Sequence, residues 1–89
     1  MDMQKFKMVE EIVAGIRSLE CRIQSTEMFH SKLRSYLNQE ITVSLTGEEY
    51  LNTPSYYDLK AKDIVEIVKI KLDNLKDSLS AFKRRLEEI

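Results

Sequence analysis

An enzyme needs a nucleophile with its base, a paired acid and base, or a metal with an open coordination position. This chain offers little for any of these, since its one histidine is His30 and its one cysteine is Cys21. The two fall on different faces of the helix that the sequence predicts around them, so neither a Cys-His pair nor a zinc site assembles within one chain. The adjacent pairs Glu10-Glu11, Glu48-Glu49 and Glu87-Glu88 point in different directions on a helix and read as solvated faces. Glu27-Met28-Phe29-His30 has the Glu-x-x-His spacing of di-metal carboxylate bundles, but such a site also needs a glutamate from each remaining helix at the same level. Glu66 is the nearby candidate, and the plainer reading is an exposed Glu27 beside a boundary histidine. The expectation is therefore no catalysis, no metal and no cofactor.

A second group of residues suits binding rather than reaction. Tyr50, Tyr56 and Tyr57 crowd one stretch together with Thr53, Ser55, Lys60 and Lys62. Phe29, Lys32, Arg34 and Tyr36 come near them if the chain folds back on itself. Free amides at a helix start, with hydroxyls and lysines, suit an anion, and tyrosine faces suit a base or another flat group. Tyr56, Tyr57, Lys60, Ser55, Thr53 and Tyr36 thus form a candidate pocket for a small anionic ligand such as a nucleotide. The competing reading is that Thr-Pro-Ser caps the helix, the tyrosines cover the loop and the lysines are solvated.

The elements that must position these residues are helices. The chain of 89 residues has two glycines and one proline, and a third of it is charged, which is the composition of long helices. Fourteen basic residues against 15 acidic ones, with both signs scattered, call for neither a nucleic acid nor a membrane. DNA binding ranks last, because helix-turn-helix readers use short turns and a basic face. A lone cysteine excludes an internal disulfide, and the start of the chain reads as neither a signal peptide nor a membrane span, so the expected setting is cytoplasmic.

Seam positions on the first arm step by three and four: Val9, Ile12, Ile16, Leu19, Ile23, Thr26, His30, Leu33 and Leu37. That heptad predicts a helix from about residue 4 to about residue 40, with Gly15 off the seam and the polar Thr26 and His30 in it. His30 reads first as a satisfied boundary histidine and second as a pH-sensitive joint. The second arm repeats the pattern at Ile64, Val68, Leu72, Leu75, Leu79, Phe82, Leu86 and Ile89, predicting a helix from about 58 to about 88. Seam residues of the two arms meet at a constant sum of residue numbers near 98, which places Ile16 on Phe82, Leu19 on Leu79, Ile23 on Leu75 and Leu37 on Ala61. Between the arms, residues from about 41 to about 57 read as an irregular loop. Within it Ile41, Val43 and Leu45 alternate with polar residues as an extended segment would, and Thr46-Gly47-Glu48-Glu49 suggests a helical turn through Leu51.

The fold class is thus all-α: one domain, a long antiparallel helical hairpin, expected to assemble into a four-helix bundle or a higher homo-oligomer. Two helices touching along one seam bury little, and apolar residues remain off it. Ile67, Ile70, Phe29 and Met28 are the candidate interface. The function expected is non-catalytic: a small regulator, adaptor or inhibitor that binds itself and another, unidentified protein.

Overall fold

A computed structural model describes residues 2–44 and 56–89. Helix α1 spans Met3–Ser35 and helix α2 spans Ala61–Glu87. Between them, strands β1 (Glu40–Ser44) and β2 (Tyr56–Lys60) pair antiparallel. The molecule is a helical hairpin that carries a two-stranded ribbon at its closed end.

The heptad pattern accounts for the packing. Leu19, Ile23, Leu72 and Leu75 form the buried centre, and Leu79 and Phe82 pack against it. Ile12 and Leu33 extend the buried stripe of α1 to both sides. The half-buried seam positions Ile16, Thr26 and His30 fall between them, with Val9 one turn before Ile12, and face Ile64, Val68, Leu79, Phe82 and Leu86. Thr26 is tolerated in an apolar seam because its hydroxyl donates to the Arg22 carbonyl one turn back, at 2.7 Å.

Both helix boundaries depart from the expected ones. Helix α1 ends at Ser35 instead of near residue 40, because Tyr36 leaves helical geometry at φ −135° and ψ 60°. A turn follows, in which the Gln39 amide donates to the Tyr36 carbonyl at 3.0 Å. The β-branched run Ile41-Thr42-Val43 beyond it prefers a pleated partner to a further helical turn. Leu37, expected in the seam, therefore sits in the turn and stays 45% exposed.

Helix α2 opens at Ala61 instead of near residue 58, and Tyr56–Lys60, expected as the end of the loop and the start of the helix, is a strand. Lys60 is the N-cap, and its amide donates to the Asp63 carboxylate at 2.9 Å. An acidic side chain in the first turn also complements the helix dipole. The expected Thr53-Pro54-Ser55 cap is therefore not the start of this helix. Leu45, the turn through Thr46-Gly47-Glu48-Glu49, Tyr50, Leu51, Thr53 and Ser55 lie outside the described residues.

The ribbon continues the register of the helices. Its pairs run Glu40 with Lys60, Ile41 with Leu59, Thr42 with Asp58, Val43 with Tyr57 and Ser44 with Tyr56, a constant sum of 100. The Ala61 amide donates to the Gln39 carbonyl and the Lys62 amide to the Leu37 carbonyl, both at 2.9 Å. Opposite charges face each other at Glu40 and Lys60, and the Thr42 hydroxyl donates to the Asp58 carboxylate at 2.9 Å.

The hairpin is one helix thick. Its principal extents are 54 × 34 × 14 Å, and the last is close to the 10–12 Å diameter of a single helix with its side chains. Its radius of gyration is 18.0 Å, whereas a compact globule of this length would have about 12 Å.

Candidate functional site

At the closed end, Phe29 and Leu33 of α1 and its C-cap Tyr36 meet Gln39, Ile41 and Ala61 around a cavity of about 500 Å³, with Lys32 at its rim. The sequence places Phe29, Leu33 and Tyr36 on one ridge of α1, and the ribbon brings Ile41 against it. The alternation of β1 supplies the reason, since Ile41 and its partner Leu59 share the half-buried face of the ribbon.

The described residues of the predicted anion pocket, Tyr36, Tyr56, Tyr57 and Lys60, are dispersed around this end. Tyr56 and Tyr57 are adjacent in β2 and so point to opposite faces of the ribbon, both well exposed. Tyr36 lines the apolar cavity, while Lys60 lines a separate one of about 380 Å³ with Glu40, Asp58, Leu59, Lys62 and Asp63. Three carboxylates surround Lys60 there. The amides of Lys60, Ala61 and Lys62, which a phosphate at the start of α2 would use, donate instead to Asp63, Gln39 and Leu37.

His30 is half-buried and lines a groove of about 500 Å³ with Arg34, Leu37, Val65, Glu66 and Lys69. It lies on the broad face of the hairpin opposite to the Phe29 cavity. Glu27 stands on that same face and pairs with Lys76 of α2 at 3.9 Å. Glu27, His30 and Glu66 do not gather as metal ligands, and the described residues contain no group of three or more carboxylate, histidine or cysteine side chains close enough to hold an ion. Cys21 is an exposed thiol.

The four residues assigned to an interface are all exposed in the single chain: Ile67 at 64%, Ile70 at 59%, Met28 at 58% and Phe29 at 44%. Phe29 and Ile67 stand on the same broad face, on either side of the helix contact. Met28 and Ile70 lie toward the outer edges of the layer.

Gly15 lies off the heptad seam, yet it is where the Phe82 ring rests. A Cβ at that position would lie 2.8 Å from Phe82 Cε1, inside van der Waals contact. Arg85 covers the same ring, with its guanidinium carbon 5.6 Å from the ring centroid. The register sets Phe82 on Ile16, and a glycine next to that position is the signal in the sequence. Arg22 and Lys71, to which the sequence assigns no role, line a groove on this face with Cys21, Ser25, Thr26 and Leu75.

Among the described residues, no helix is long and apolar enough to cross a membrane. Comparison with known proteins finds no matching family model, no matching curated protein and no matching solved structure.

Proposed function

We propose that this protein is a non-catalytic helical interaction module, acting as a regulator, adaptor or inhibitor by binding other polypeptide chains. The observation that carries this reading is the single-layer architecture: a sheet of two helices 14 Å thick leaves Phe29, Met28, Ile67 and Ile70 exposed. Stable domains pack at least two layers around a core, so an open layer of this kind gains by taking a second one from outside. A second copy supplies it most simply, giving a four-helix bundle or a larger closed ring. Met28 and Ile70, toward the edges of the layer, are the residues that a homo-oligomer would cover.

A nucleotide-sequestering pocket is the less favoured alternative. Its phosphate would have to displace the carbonyl and carboxylate partners of the α2 amides. Its two strand tyrosines cannot stack on one ligand from opposite faces of the ribbon.

Sedimentation velocity at tens of micromolar tests the reading. The wild-type chain is expected to sediment as a dimer or larger, and Ile67→Lys with Ile70→Lys to sediment as a smaller species with unchanged helix content. A wild-type monomer under those conditions would overturn self-assembly.

A further inference from the structure

The two broad faces of the hairpin carry different electrostatics. On the His30 face, charges are matched across the helices: Glu27 pairs with Lys76. Glu20 and Lys83 stand one heptad further along at the same sum of residue numbers. The Phe29 face is built otherwise. Its stripe on α1 runs Ser18, Arg22, Ser25, Phe29, Lys32 and Tyr36, in steps of three and four. The facing stripe on α2 runs Ile67, Lys71, Asn74, Ser78 and Arg85. Neither stripe contains a carboxylate over these positions; Glu11 enters at the far end, level with Arg85, and Asp63, one turn before Ile67, holds the Lys60 amide. Among the described residues, none of Arg22, Lys32 and Lys71 takes part in an ion pair.

The middle of this face is a trough of about 330 Å³ lined by Cys21, Arg22, Ser25, Thr26, Lys71 and Leu75. Phe29 and Ile67 stand level with each other at one end, as apolar anchors. Each wall carries bases, Arg22 and Lys32 on one side and Lys71 and Arg85 on the other. We infer that this trough docks an acidic amphipathic helix of another protein, with its apolar line on Phe29 and Ile67 and its flanking carboxylates on the two basic walls. This inference rests on the interaction-module reading and adds the chemistry of the partner. A second copy presenting the same face would set Arg22, Lys32 and Lys71 against a like set of bases, which costs the association what the acidic helix gains. Self-assembly is thereby left to the opposite broad face and to the edges at Met28 and Ile70.

The test uses the full chain and two synthetic peptides of three heptads, about 21 residues, with leucine at the seam positions. One peptide carries glutamate on both flanks of the seam, and its twin carries lysine there. Fluorescence anisotropy at low salt is expected to show binding of the acidic peptide alone, weakened about tenfold or more on raising the ionic strength well above physiological. Arg22→Glu with Lys71→Glu, folded by circular dichroism, is expected to invert the preference and bind the lysine peptide. Failure of the acidic peptide to bind, equal binding of both peptides, or no inversion in the double variant would overturn the acidic-helix proposal. So would tighter binding of duplex DNA, or of vesicles containing phosphatidylserine, than of the acidic peptide. The interaction-module reading itself fails only if neither peptide binds and the wild-type chain also sediments as a monomer.

Discussion

Phe82 is the residue on which the far half of the hairpin turns. Its ring fills the space that a side chain at position 15 would need, so the glycine and the aromatic act as one unit. Alanine at position 15 would recover about 1 kcal/mol of helix propensity. Against that, forcing a methyl group into a ring only 2.8 Å away requires the ring to move off its contacts, and overpacking of this kind costs about 1–3 kcal/mol. Gly15→Ala is expected to lower stability in urea titration by up to about 2 kcal/mol, the difference of these two effects. In a Phe82→Leu background the clash is gone, and the same substitution should stabilise by some tenths to about 1 kcal/mol. A double-mutant cycle reads this change of sign. Simple additivity would show that the ring yields freely and that Gly15 has no packing role.

The helices and the ribbon share one pairing register, and two substitutions test its opposite ends. Leu19→Cys with Leu79→Cys, in a Cys21→Ser background, should form a disulfide readily under mild oxidation, because the register places the two side chains level within the packed centre. Absence of the cross-link with both thiols reactive would count against the pairing. At the ribbon end, the Asp63 carboxylate holds the Lys60 amide and faces the positive end of α2. Asp63→Ala should therefore lower stability by roughly 0.5–1 kcal/mol. It should also speed hydrogen exchange at Lys60 and along β2 more than in the middle of α2. Uniform protection loss across the helix would instead mean that the cap does not hold the strand and helix in line.

On the scale of the whole molecule, a layer one helix thick has most of its surface in water. Its stability should depend on what covers it. If copies associate, the melting temperature is expected to rise with protein concentration, because association removes folded chains from the unfolding equilibrium. Thermal unfolding followed at two concentrations a hundredfold apart checks this, and coincident curves would locate the whole of the stability within one chain. The Ile67→Lys, Ile70→Lys variant should lose the concentration dependence.

The sequence by itself determined the hairpin, its two helices and their register, because a heptad of apolar residues marks the contact stripe and a constant sum matches two stripes without any knowledge of tertiary structure. The alternation at Ile41 and Val43 was legible as extended backbone for the same reason. The partner of that segment was not. Tyr56–Lys60 carries no isolated strand signal, since Asp58 and Lys60 weigh against one, and the segment is a strand only because Ile41 and Thr42 lie alongside it. Tertiary structure likewise decided that Gly15 is a contact, because a glycine shows its role only through the ring that occupies the missing side chain. It decided too that the amides opening α2 are spent on Gln39 and Leu37, and that Tyr56 and Tyr57, neighbours in sequence, lie on the two sides of a ribbon in space.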